Sequence, residues 1–250
     1  MRCVIVVPTF NEAATVKTLI NTVGAVRRTM TDATVDVLVV DDNSPDGTGD
    51  LVRRHRAFGE WLHLLPRISK DGLGAAYRAG FAAGVADGYD AVVQMDADGS
   101  HPAAEIPAMI ALLERHDIVV GSRYVAGGAT ENWPAQRRLL SWAANSYARG
   151  VLGLHTRDAT SGFRAWRTSA LVAAGVLDTT SNGYGFQVEN TWRAERLGLR
   201  VCEHPITFVE RTAGASKMSP EVAREAAVLV LRWRLAELRG QRPVPREATA

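Results

Sequence analysis

Apolar residues along the chain gather into short β-branched runs separated by longer stretches with helical spacing. The runs are CVIVVP (3–8), VDVLVVDD (35–42), LHLLP (62–66), YDAVVQMD (89–96) and DIVVGSR (117–123). They are nearly continuous in Val, Ile and Leu rather than alternating, as expected for strands covered on both faces. Helical patterns fill about 11–30, 47–58, 72–87 and 103–115. Strand and helix in alternation predict an α/β fold, a mostly parallel sheet with helices on both faces. After Arg123 the rhythm changes, and 129–164 reads as mostly helix and then loop. No linker marks a second domain there. The expectation is one domain over 1–240 and a polar, Pro-containing, flexible tail over 241–250.

Composition changes this picture little. The 250 residues are 46% hydrophobic and 22% charged, enough for a core without staples. A formal net charge of +2 does not suit a nucleic-acid binder, but leaves room for a local anionic ligand or an anionic membrane surface. Cys3 and Cys202 form no C-x-x-C pair and read as two thiols in a reducing compartment. MRCVIVVP has one positive charge and a short apolar run, so it reads as a first strand and not a signal peptide. No uncharged apolar stretch reaches the ~18 residues of a bilayer span. The expected location is cytoplasmic, peripheral on the cytoplasmic face of a membrane.

Ligands of an open parallel sheet bind at the carboxyl ends of its strands. Those ends here are PTFNE (8–12), DDNSPDGT (41–48), DADGSH (96–101) and GSRY (121–124). Each has a local explanation by itself. SPDGT makes a turn, and Glu12 suits the first turn of a helix. Four polar ends on one edge point to a ligand. Asp96 and Asp98 would repel each other unless a divalent cation lay between them. Mg²⁺ takes one or two carboxylates plus substrate phosphates, so Asp-x-Asp suits a metal-bound diphosphate. No G-x-x-x-x-G-K-[ST] is present. GLGAAYRAG (72–80) lacks the third glycine of the dinucleotide fingerprint and reads as a helix start packed against a strand. No Ser-His-Asp or Cys-His arrangement is discernible, and His101, followed by Pro102, reads as a turn residue.

VVPTFNE, VVDDNSPDGT, GLGAAYRAG, MDADGSHP, VGSRYV, ATSGFRAW, GYGFQVE and RTAGASKM occur in this order. The series resembles the family 2 glycosyltransferases, and within them the dolichol-phosphate (polyprenol monophosphate) mannose synthases. The resemblance implies a GT-A fold and transfer of mannose from GDP-mannose to a polyprenyl, dolichyl-type, phosphate. It implies nucleotide-sugar contacts at Pro8, Phe10, Glu12, Asp42, Asp96, Asp98, Arg211 and Lys217. Mg²⁺ or Mn²⁺ would sit on Asp96 and Asp98, with Ser100 near it where related sequences often have Gln, so a water intervenes. Phe10 stands where Tyr is common, keeping the stacking face and losing the hydroxyl. Asp98, Arg123, Arg211 and Lys217 are the implied catalytic set, the cations facing charge that develops on the departing diphosphate. Arg123, Arg137, Gln187 and Glu189 would meet the acceptor. An acceptor phosphate is already anionic and needs no base, which accounts for the missing triad. Alternatives are a family 2 transferase using another nucleotide sugar or a glycan acceptor, a phosphohydrolase with Asp96 as nucleophile, and a non-catalytic nucleotide-sugar binder.

Related enzymes carry transmembrane helices or a membrane-embedded partner, so the resemblance admits a membrane-protein partner. This chain offers instead two C-terminal helical patterns suited to an interface. Leu139, Trp142, Tyr147, Val151 and Leu154 form one apolar face, led by Arg137 and Arg138. Val222, Ala226, Leu229, Val230 and Trp233 form the second, flanked by Arg224, Arg232 and Arg234. The alternative is that both faces close on the domain's own core.

Overall fold

The first apolar run is β1 (Arg2–Thr9), and both its faces are covered: Cys3, Ile5 and Val7 enter one core, Val4 and Val6 the other. The second run, β2 (Thr34–Asp41), divides the same way, Val35, Val37 and Val39 against Leu38 and Val40. This two-sided burial explains why the runs do not alternate; each fully buried Val or Ile stabilises the fold by about 1.5–3 kcal/mol. The computed structural model describes residues 1–210, 220–241 and 243, so most of the expected tail lies outside the described residues.

The other strands are β3 (Leu62–Pro66), β4 (Ala91–Gln94), β5 (Ile118–Ser122), β6 (Ala129–Glu131), β7 (Arg164–Arg167), β8 (Val201–Pro205) and β9 (Thr207–Val209). Among the described residues seven of the nine strands form one sheet in the order β3-β2-β1-β4-β7-β5-β8, while β6 and β9 pair separately. Within the large sheet only β7 is antiparallel to its neighbours. The chain moves outward from β1 to β3 and returns to β4 on the other side of β1. A crevice therefore opens between the carboxyl ends of β1 and β4, the switch point at which such sheets bind ligands.

Helices α1 (Val16–Thr29), α2 (Thr48–Arg53) and α4 (Ile106–Leu112) cover one face, and α3 (Leu73–Ala86), α6 (Thr168–Ala173) and α7 (Gly183–Arg196) the other. The pattern over 11–30 places α1 too early. Asn11 takes a left-handed conformation (φ 59), and the N–H groups of Thr15 and Val16 close a turn on the Glu12 carbonyl. Phe10, Asn11 and Glu12 are thereby left as a loop at the sheet edge, directly after Pro8 and Thr9 end β1. In α3, a Cβ on Gly80 would stand 2.3 Å from Val6 and 2.9 Å from Val40, so that glycine lets the helix lie on β1 and β2. The start of α3 does not pack on a strand as the sequence suggested. Gly74 instead abuts the Ser181 carbonyl, where a Cβ would approach to 2.6 Å.

A third core forms where α5 (Ala135–Leu152) and α8 (Pro220–Leu238) meet α7, around Leu152, Leu154, Val188, Trp192 and Val230. The single apolar face expected on the first C-terminal helix divides. Tyr147, Val151 and Leu154 pack in this core, whereas Leu139 is 65% and Trp142 58% exposed. At 3.6 residues per turn, Trp142 and Val151 point about 180° apart, too wide for one face. On α8, Val230 is buried and Trp233 stacks on Trp192 at 5.7 Å. A second apolar stripe that the sequence reading missed, Val228, Leu231, Leu235 and Leu238, is exposed. The side chain of Val222 lies outside the described residues. Among the described residues no helix is long and apolar enough to cross a membrane.

Candidate active site

The loops after β1 and β2 are stitched together by short polar side chains. Asp41 is spent on this framework: its Oδ1 accepts from Thr9 Oγ1 (2.8 Å) and Ser44 Oγ (2.6 Å), and its Oδ2 from the Ser44 N–H (3.1 Å). Asp46 accepts from Thr48 N–H and Oγ–H and from the Ala13 N–H, and Thr48 Oγ1 accepts from the Glu12 N–H at 3.0 Å. SPDGT is thus a turn whose side chains also hold PTFNE in place. Glu12 keeps its Oε2 on the Thr15 hydroxyl at 3.0 Å. Pro8 lies inside β1 opposite Val40. Phe10 presents its ring to Lys70, whose Nζ stands 3.9 Å from the centroid.

Asp42, the second carboxylate of the β2 end, is buried and accepts from Arg67 Nη1 at 2.6 Å. Burial raises its pKa above the usual carboxylate value, outweighing the pull of Arg67. Arg67 is shared with Asp71 at 2.8 Å.

After β4 the chain turns through Asp96 and Asp98. Tyr77 of α3 donates its hydroxyl to Asp96 Oδ1 at 2.6 Å. The Asp96 N–H donates to His101 Nδ1 at 3.0 Å, which places the proton of a neutral imidazole on Nε2, 3.9 Å from Asp96 Oδ2. His101 is buried and stacked on Phe163 at 5.1 Å, so it holds the loop from within rather than merely making a turn. Asp98 Oδ1 accepts from the Ser100 N–H at 3.1 Å, and Ser100 is buried. A Cβ at Gly162 would stand 3.3 Å from Asp96 Oδ2 and 3.8 Å from Gln187 Nε2, so this glycine keeps that oxygen approachable. Gln187 Oε1 is buried and, among the described residues, has no hydrogen-bond partner. Glu189 is occupied, accepting from Ser181 Oγ and from Arg193 Nε.

This donor set fits a hard divalent cation. Two carboxylates are offered at the crevice, one with an open flank at Gly162. Among the described residues no group of three or more His, Cys, Asp or Glu could hold a metal by itself. The remaining positions would fall to phosphate oxygens and water, the Mg²⁺ pattern.

Arg123 follows β5 and is almost wholly buried. Its Nε and Nη2 donate to the two oxygens of Asp158, each at 2.7 Å, and Nη2 also to Thr160 Oγ1 at 3.0 Å. Burial opposes the charge, but Asp158 outweighs it and raises the guanidinium's pKa. The rings of Tyr124, Trp133 and Phe208 surround it at 5.3–5.5 Å. Arg137 lies over Trp133 at 4.6 Å and is paired with Glu210. Arg211 and Lys217 lie outside the described residues.

Sequence reasoning missed Tyr77 and Asp158. Tyr77 was hidden in a helical pattern where an aromatic reads as core. Asp158 immediately precedes ATSGFRAW, and its meaning comes only from its contact with Arg123.

A family model described as glycosyl transferase family 2 matches residues 4–173. The chain belongs to this family. It is 48% identical over 236 residues to the undecaprenyl-phosphate mannosyltransferase of Micrococcus luteus, covering 94% of this chain and 95% of that protein. It is 44% identical over 234 residues to the polyprenol monophosphomannose synthase of Mycolicibacterium smegmatis, covering 93% and 86%. Among solved structures it resembles glucosyl-3-phosphoglycerate synthase from Mycobacterium tuberculosis in complex with Mn²⁺, uridine-diphosphate-glucose and phosphoglyceric acid. That match has a TM-score of 0.65 and 19% identity, over 96% of this chain and 80% of the other. Mannosyl-3-phosphoglycerate synthase from Rubrobacter xylanophilus matches with a TM-score of 0.63 and 15% identity, over 96% and 76%. At that identity the likeness speaks for the fold, which is GT-A.

Proposed function

We propose that this transferase moves mannose from GDP-mannose to a polyprenyl phosphate, giving polyprenyl-phosphate mannose. The observation that carries the reading is near full-length identity to two relatives whose names both specify mannose, with undecaprenyl phosphate in one and polyprenol monophosphate in the other. The crevice suits it. Pro8, Phe10, Glu12 and Asp42 border the place where a nucleotide would lie, and Asp96 and Asp98 face its diphosphate end. Bound there, Mg²⁺ or Mn²⁺ would neutralise charge on the leaving diphosphate.

The reaction then needs no protein base. An oxygen of the acceptor phosphate attacks C1 of the sugar as the bond from C1 to GDP breaks. The electron pair leaves with GDP, and the configuration at C1 inverts. Arg123 has its fork spent on Asp158, so its part would be a fixed positive charge beside the acceptor phosphate rather than a forked grip on it. Arg137, Gln187 and Glu189 border the acceptor side, with Glu189 orienting through Ser181 and Arg193. By sequence, Arg211 and Lys217 complete the cationic set.

A polyprenyl tail leaves a bilayer at a cost of about 0.8 kcal/mol per CH₂, so the protein must reach the headgroup plane. Exposed Leu139, Trp142, Val228, Leu231, Leu235 and Leu238, with Arg224 and Arg232 exposed on α8, suit peripheral attachment to the cytoplasmic face. A membrane-protein partner is the alternative means of recruitment.

A donor and acceptor panel tests the proposal. GDP-mannose with polyprenyl phosphate should give product, and UDP-glucose or 3-phosphoglycerate should not substitute. Efficient use of either substitute would assign the chain to another branch of the family.

A further inference from the structure

An aspartate beside a second carboxylate tends to swing away from it, and Asp96 has a 32% exposed side chain with room to do so. Something must hold it facing the crevice. His101 grips only its main chain, through the Asp96 N–H, and the His101 Nε2 at 3.9 Å is beyond hydrogen-bond distance from the carboxylate. The Tyr77 hydroxyl, at 2.6 Å from Oδ1, is different. Tyr77 is fully buried, its ring packed on Phe81 at 5.6 Å and parallel to Phe186 at 6.1 Å and 2°. The ring cannot follow the carboxylate if the carboxylate moves. Its helix is equally constrained, since Gly80 and Gly84 seat α3 on the strands.

We propose that Tyr77 is a positioning residue for Asp96. Its hydroxyl holds Oδ1 on the α3 side and leaves Oδ2 facing Gly162, the flank a ligand can reach. The stack on Phe186 extends the constraint to α7, the helix that also carries Gln187 and Glu189. Two sides of the crevice would thus be fixed relative to each other by one aromatic ring. This rests on the reading of Asp96 as a metal ligand. Hydrogen-bond partners of ligating groups fix ligand orientation, and their removal weakens metal binding by about 10–100-fold.

The test is Mn²⁺ affinity of nucleotide-free protein, read from the free Mn²⁺ resonance, in Tyr77→Phe, Phe81→Leu and Asp96→Ala. Tyr77→Phe keeps the stack and removes one oxygen. It should weaken Mn²⁺ binding at least about tenfold, with the melting temperature little changed. Phe81→Leu should lower the melting temperature and weaken Mn²⁺ binding less than Tyr77→Phe does, because the hydroxyl and the stack on Phe186 remain. Asp96→Ala should abolish binding; retention there would overturn the metal reading itself. If Asp96→Ala loses Mn²⁺ while Tyr77→Phe binds as tightly as the unmodified protein or tighter, the metal reading stands and the positioning role is wrong. The unmodified protein provides a check that needs no variant. Its tyrosine absorbance should shift with the midpoint of Mn²⁺ binding, because the Tyr77 hydroxyl donates to the carboxylate that takes the ion. A spectrum that stays constant through saturation would also overturn the proposal.

Discussion

Arg123 and Asp158 stand 35 residues apart in the chain and meet as a forked pair, Nε and Nη2 on the two carboxylate oxygens, with Asp158 fully buried. Asp158 is itself fixed: its N–H donates to Glu203 Oε1 at 2.9 Å, and the preceding N–H of Arg157 to Oε2 at 2.8 Å. A strand at the far edge of the sheet therefore sets the plane of the Arg123 guanidinium.

Removing Asp158 should strand a buried cation. Asp158→Ala is expected to cost about 3–5 kcal/mol of stability, measured by urea unfolding, and to abolish transfer. Arg123→Lys in the otherwise unmodified chain should also lose transfer, because an ammonium cannot make the fork to Asp158. A variant without Asp158 that unfolds like the parent would show that the pair is not a structural element.

Asp42 carries a cost that its function would explain. Burial raises its pKa in the folded chain. An ionised carboxyl of this kind lowers stability above its folded pKa, and the penalty disappears below the unfolded value of 3.8. Near neutral pH, Asp42→Asn should melt no lower than the parent and bind GDP more weakly. The two melting curves should converge on acidification. For the parent, GDP affinity should begin to fall at a pH above the ordinary Asp range. A stability loss in Asp42→Asn that persists at low pH would contradict this.

The parts that were legible in the sequence are those whose physics is local. β1 and β2 announce themselves because apolar runs buried on both faces can be little else, and SPDGT is a turn wherever it occurs. β7 was not legible. Its four residues, RAWR, carry two arginines, and Arg164 is wholly buried because its Nε and Nη2 donate to the Ser161 and Ala159 carbonyls. Burial there draws its pKa down to about 10. No window of sequence shows that such an arginine has carbonyl partners, so the sequence reading placed no strand there. The acidic pair was visible, but its support was not: Tyr77 and His101 reach Asp96 through a helix face and a buried ring. The divided face of α5 failed for a similar reason, since periodicity gives an arc of apolar residues and only α7 and α8 decide which half is covered.

Asp98 should matter to chemistry more than to folding. Asp98→Ala removes the acceptor of the Ser100 N–H, worth about 1 kcal/mol, so a shift of a few degrees in melting temperature is expected. Transfer should fall to background and should not recover with added Mn²⁺. Near-normal, metal-dependent turnover would take Asp98 out of the site.

Membrane contact should depend on the exposed half of α5. Leu139→Ser with Trp142→Ser should reduce co-sedimentation with anionic liposomes and raise KM for long-chain acceptor, leaving GDP-mannose affinity unchanged. High salt should release part of the unmodified protein, since only the arginine contribution is screened. If the unmodified protein stays in the supernatant yet glycosylates acceptor in liposomes, attachment by this helix is wrong.

The most direct measurement follows labelled mannose from GDP-mannose into organic-extractable lipid, with polyprenyl phosphate and the matching polyprenol as paired acceptors. The phosphate should accept mannose only with Mg²⁺ or Mn²⁺ present and the free alcohol should accept none, because the proposed reaction uses the acceptor phosphate as nucleophile and calls on no protein base. Transfer to polyprenol at a comparable rate, or transfer to the phosphate that survives a chelator, would contradict the account.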